Sequence, residues 1–128
     1  MKKLVAGLAV GIGLLVVSDP AFSHHGGQNY DQTHLITLKG TVTEVELINP
    51  HALIHFEAKD DQGNVEKWVG DLPSPNGLRR NGWNSHTVKA GDQFSFIGNR
   101  FKDGSKKMAI RKLLMPDGQE LKIGGQQE

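Results

Sequence analysis

Six histidines and no cysteine make imidazole nitrogen the chief candidate metal donor in this 128-residue chain. Thiol catalysis and thiolate metal sites are excluded outright. Two of the histidines, His24 and His25, follow directly on Ala21-Phe22-Ser23, which reads as the small-residue exit of a secretory leader. Cleavage after Ser23 would leave a free α-amine on His24. That amine and the Nδ1 of the same residue can close a chelate ring, and His25 can add a further nitrogen from its imidazole or its backbone amide. Nitrogen-rich, sulfur-free sites favour Cu(II), then Zn or Ni. An α-amine titrates near about 8 and an imidazole near about 6.5, so such a site weakens in mild acid.

His51 and His55 are the next candidates. They are four apart in a segment that reads as a strand, which separates their Cα atoms by roughly 13 Å. Two ligands of one metal cannot readily span that distance, so at most one of them joins a given site. His51, placed after Asn49-Pro50 at the start of the strand, is the better placed to receive a folded-back His24. His55 reads as a surface histidine, and His34 and His86 as loop residues.

Catalytic readings find less support. Glu44 and Glu46 share a face only if their strand is regular, and nothing in the sequence orients them or Asp71 as an acid and base pair. No serine has a nucleophile-elbow context, and there is no phosphate loop or dinucleotide fingerprint. Trp83 with Arg79 and Arg80 offers a different chemistry, an aromatic and cationic surface for an anionic ligand or a partner protein. Core packing is the competing role for the ring, in a segment that plugs one barrel end.

The elements that must position these residues follow from composition and periodicity. Residues 1–23 combine Lys2 and Lys3 with an apolar stretch from Leu4 to Val17. They read as a signal peptide, too short for a spanning helix, and no later segment approaches the length a span needs. Residues 24–34 are polar, Gly-bearing and without period, and read as a flexible arm. Removing the leader leaves equal numbers of basic and acidic side chains, which argues against a nucleic-acid binder. The charges are unevenly placed, with three basic and eight acidic groups over residues 24–78 and nine basic and two acidic over 79–112. The basic half could favour an anionic partner, though a solvated edge-strand face explains it as well.

Residues 35–48 read as a long first strand whose apolar phase slips near Thr43-Glu44, the mark of a bulge, with Gly40 allowing another backbone to approach. Residues 51–59 read as a second strand, with Ala52, Ile54, Phe56 and Ala58 on one face. An Asp60–Asn64 turn leads to a third strand over residues 65–72. Ser74 and Pro75 cap and start a short helix that stops at Asn81-Gly82. Strands four and five cover residues 93–101 and 107–115, and residues 119–123 make a short last strand before a frayed tail at 124–128. This order predicts an all-β domain over residues 35–123, an OB-like five-stranded barrel with a short helical insert between strands three and four. An open β-sandwich is the runner-up.

The run Gly40-Thr41-Val42-Thr43-Glu44-Val45, with Asn49-Pro50-His51-Ala52, Ser74-Pro75-Asn76 and Arg79-Arg80-Asn81-Gly82-Trp83, resembles a family of small exported bacterial proteins, domain-of-unknown-function family 6152. The His24-His25 start, Gly91-Asp92, Lys102-Asp103-Gly104-Ser105 and Leu114-Met115-Pro116-Asp117-Gly118 extend the likeness over most of the chain after the leader. The resemblance implies fold, export and length, and transfers no activity. Many members have serine after the two histidines, where this chain has Gly26, which removes a possible hydroxyl partner near the terminus.

The expectation is therefore a small periplasmic or secreted binding protein rather than an enzyme. Its first candidate ligand is a transition metal, copper foremost, held by His24, His25 and His51. The alternative is a metal-free module that recognises an anionic ligand, an envelope polymer or a periplasmic partner protein across Arg79, Arg80 and Trp83. A redox enzyme built on an N-terminal copper site comes third.

Overall fold

Two-residue alternation runs through the centre of the chain, and the computed structural model, which describes residues 29–124, resolves it into strands. β1 (Ile36–Glu46), β2 (Leu53–Lys59) and β3 (Val65–Asp71) precede a short helix, α1 (Pro75–Arg80). β4 (Gln93–Arg100), β5 (Lys107–Leu114) and the two-residue β6 (Glu120–Leu121) follow. Ala52, Ile54, Phe56 and Ala58 are all buried, as the alternation predicts. So are Trp68 on β3, Phe94 and Phe96 on β4, and Met108, Ile110 and Leu113 on β5.

One strand serves two neighbours. β1 pairs with β4 through Ile36–Thr41 and with β2 through Gly40–Glu46, antiparallel in both cases. The pairing register shifts between Val42 and Glu44, so the bulge falls at Thr43, where the slip in apolar phase predicts it. The bend lets β1 turn from one half of the sheet to the other. Gly40 belongs to both ladders, and a Cβ there would meet the Glu57 carbonyl oxygen at 2.6 Å. β3 then lies parallel to β5 over Val69–Asp71, which closes the five strands into a barrel with β6 appended to β5. The predicted five-stranded barrel with one helical insert is the observed fold.

Inside, the Phe56 and Phe96 rings stack with centroids 3.8 Å apart, and Trp68 lies beyond Phe56 at 6.4 Å. Each such ring contributes roughly 1.5–3 kcal/mol through burial. α1 closes one end. Ser74 Oγ accepts from the Gly77 amide at 3.1 Å, Pro75 occupies the first turn, and Leu78 points into the core beside Leu72, Trp83 and Val88.

The described structure begins earlier than the sequence predicts for the domain. Residues 29–34, expected as part of a flexible arm, are tied to the barrel, because the arm's polar composition conceals one large apolar side chain, Tyr30. Among the described residues no helix is long and apolar enough to cross a membrane.

Candidate functional site

The arm meets the barrel where β4 runs into its hairpin with β5. Tyr30 forms an antiparallel bridge with Phe101. Asp31 N–H donates to the Arg100 carbonyl and Lys102 N–H to the Asn29 carbonyl, each at 2.8 Å. Asn99, buried, secures the next turn. Its Nδ2 donates to the carbonyls of Asp31 at 2.8 Å and His34 at 3.1 Å, while its Oδ1 accepts from Arg111 Nε at 2.8 Å. A buried amide with its donor and acceptor both engaged is a strong positional constraint.

Tyr30 is only 3% exposed, its ring set edge-on to Phe101 at 5.0 Å between centroids. Its hydroxyl donates to Asp71 Oδ2 at the end of β3. Burial, and next the Asp71 carboxylate that accepts its proton, push the phenol well above the ordinary tyrosine range. The arm is thus fastened to both β4 and β3.

Asp71 has a second neighbour. It pairs with Leu53 across the β2–β3 ladder, and the ladder runs on past the end of β2, with Leu72 N–H donating to Ala52 O at 2.8 Å and Ala52 N–H to Pro73 O at 3.2 Å. Ala52 and Leu72 face the core, so Leu53 and Asp71 face the other way. His51 is exposed and follows a cis Asn49–Pro50 bond.

His24 and His25 lie outside the described residues, so the structure places only the third histidine of the expected set. The bond between Tyr30 and Asp71 escapes sequence reasoning. A single tyrosine in a polar arm is the one signal that marks the docking.

The other predicted surface divides. Arg79 and Arg80 are exposed on α1, with Arg79 Nη1 donating to Asn76 Oδ1 at 3.0 Å. Trp83 is instead 5% exposed, and its Nε1–H donates to the Lys122 carbonyl at 2.7 Å across 39 residues of sequence. It anchors the segment after α1 to the C-terminal strand region and offers no ring to a partner. Trp83→Phe should cost about 1–3 kcal/mol by leaving that carbonyl unbonded and the site underfilled. Urea denaturation would measure this, and an unchanged midpoint would contradict the anchoring role.

His55 has a partner too. Its Nε2 lies 2.8 Å from Glu46 Oε2, with the two side chains 33% and 36% exposed. Because the bulge falls before Glu44, Glu44 and Glu46 keep the same outward face, and Glu46 reaches back to His55. Pairs this exposed contribute at most about 1 kcal/mol. No group of three or more potential ligands gathers among the described residues. A broad groove of about 790 Å³ lies elsewhere, between β1, the end of β2 and the start of β4, with Leu38, Ala58, Phe94 and Met115 on its floor and Lys39 and Asp61 at its rim.

A model of a family of unknown function, DUF6152, matches residues 11–110, from within the expected leader into β5. No curated protein and no solved structure matches the chain.

Proposed function

From the premise that this chain belongs to the DUF6152 family, which assigns it no activity, we propose that it is an exported metal-binding protein. Its ligand is a transition metal, copper first, held by His24 and His25 at a processed N-terminus and by His51 on the barrel. The observation that carries this reading is the fastening of Tyr30 to Asp71. It fixes the arm five residues after His25, on a carboxylate that stands opposite Leu53, two residues after His51 in the chain.

Six residues span up to about 20 Å when extended, which sets the reach of His24 from the Tyr30 anchor. The donor set of amine and imidazole nitrogens is the one Cu(II) favours. A metal-free module that recognises an anionic ligand keeps Arg79 and Arg80 as exposed cations, but it loses Trp83 to the core.

Titration with Cu(II) tests the reading. The chain beginning at His24 should bind one equivalent, and a chain carrying one extra residue before His24 should bind at least tenfold more weakly, because its amine no longer shares a chelate ring with the His24 imidazole. Mass analysis of the exported protein should place the first residue at His24. Equally weak binding by both chains would overturn the metal reading, and it would leave the exposed arginines of α1 as the next surface to examine.

A further inference from the structure

We infer that residues 29–34 are a strap that holds the barrel shut at its weakest seam, the parallel junction of β3 with β5. Release of the strap opens that junction while the other ladders of the barrel stay paired. The inference stands on contacts within the described residues and does not depend on the metal-binding reading.

The seam is short. β3 and β5 pair over three positions, Val69–Asp71 with Lys107–Ala109, whereas each of the other four ladders of the barrel has six or seven. Parallel pairing is also slightly weaker per residue than antiparallel pairing. The middle position on β3 is Gly70, which brings no side chain of its own to the junction. The two strands then separate, β3 ending at Asp71 ahead of α1 and β5 running on to Leu114. Beside the seam, Lys106 Nζ meets Glu66 Oε2 at 3.0 Å, with the two side chains 49% and 24% exposed. An ion pair this open to water adds little.

The strap has a contact on every strand that meets there. Its backbone brackets Phe101 at the end of β4, with Asp31 N–H donating to the Arg100 carbonyl and the Asn29 carbonyl accepting from Lys102 N–H. Asn99 of β4 binds the strap through the carbonyls of Asp31 and His34 and binds Arg111 of β5 through its Oδ1. The Tyr30 hydroxyl completes the span on Asp71, the last seam position of β3, whose partner across the seam is Ala109. One segment thus ties β4 and β5 to β3 at the point where the sheet closes with the fewest pairs. Regions held by few contacts open locally at a lower cost than the whole fold. Here the same contacts fasten the strap and close the seam, so the two open as one unit.

Amide hydrogen exchange, followed by nuclear magnetic resonance and corrected for intrinsic rates, tests this on the unsubstituted chain. The strap is reported by the Asp31 and Lys102 amides, and the seam by the Val69 amide, which donates to the Lys106 carbonyl at 3.0 Å. The reference is β2, paired on both sides by antiparallel ladders. Asp31, Lys102 and Val69 should share one protection to within about threefold, at least about tenfold below that of β2. Tyr30→Phe keeps the ring and the fold and loses the tie to β3. It should lower the protection of all three amides by the same factor, about fivefold. The inference is overturned if Val69 is as protected as β2, since the barrel then opens only as a whole. It is overturned equally if the protection of Val69 differs from that of Asp31 and Lys102, or if Tyr30→Phe changes theirs and leaves that of Val69 unchanged, since the strap then leaves without opening the seam.

Discussion

Gly98→Ala should destabilise the barrel by at least about 3 kcal/mol, the upper end of overpacking costs. A Cβ at this position would overlap the Ala109 carbonyl oxygen and lie 2.9 Å from both the Ala109 carbonyl carbon and Met108 Cε. Two of these atoms are backbone in β5, at the point where the β4–β5 register shifts between Ile97 and Gly98. Relief therefore requires β4 and β5 to part, and β5 is also the strand that closes the barrel against β3. Gly70→Ala is the useful comparison. There the added carbon meets Ile110 side-chain atoms, with Cγ1 at 2.8 Å, and a side chain can turn. Its cost should stay near about 1–2 kcal/mol. Against a total stability of about 5–15 kcal/mol, the two variants should separate clearly in urea denaturation followed by tryptophan fluorescence. Equal losses would mean that the close approach of β4 and β5 is not what requires glycine at residue 98.

That glycine illustrates where sequence reasoning succeeds and where it stops. Strand positions were legible because burial on one face imposes a period of two, and Ala52-Ile54-Phe56-Ala58 shows it without interruption. The bulge at Thr43 was legible because a one-residue insertion reverses that phase, which a sequence displays directly. The helix was legible from Ser74-Pro75 and Asn81-Gly82, since capping is a local property. Gly98 was not, because nothing local distinguishes a glycine that admits a neighbouring backbone from one that merely weakens a strand. The partner atom is eleven residues away in β5, and only the closed barrel brings it there.

The candidate site divides along the same line. His24, His25 and His51 can be read as ligands from residue type alone, and the separation of His51 from His55 follows from strand geometry. The contacts that fasten the arm are nonlocal. Asp71 stands forty-one residues after Tyr30, and the two meet only because the bridge between Tyr30 and Phe101 lays the arm beside the end of β3. The pairing of Glu46 with His55 is nonlocal in the same way. Trp83 shows the converse difficulty. Beside two exposed arginines its ring suits a surface as well as a core, and the hydrogen bond that decides the matter is made with Lys122, in a segment with little pattern of its own.

Tyr30→Ala should both destabilise the protein and weaken metal binding, and the two effects have different origins. Removing a nearly fully buried aromatic that packs on Phe101 should cost about 3–5 kcal/mol. Tyr30→Phe keeps the ring and deletes only the hydroxyl, so its cost should be nearer about 1 kcal/mol. The pH dependence isolates the hydroxyl. Its folded-state pKa lies above the value of 10.0 for a free tyrosine, so the bond to Asp71 stabilises the fold fully below pH 10. That contribution fades as pH rises above 10, where the unfolded chain loses the proton more readily. Tyr30→Phe should remove this alkaline loss relative to the unsubstituted chain, measured as the difference between the two proteins across the alkaline range. The effect on metal binding comes from tethering. On the proposed metal-binding reading, Tyr30 holds the chain six residues after His24 to the barrel, and releasing it lowers the effective concentration of the metal-binding histidines at His51. Cu(II) affinity should then drop by about tenfold in Tyr30→Ala under conditions where the variant remains folded, towards the value of the His24-His25 chelate alone. An unchanged affinity would show that the chelate forms on the arm without the barrel, and His51 would leave the ligand set.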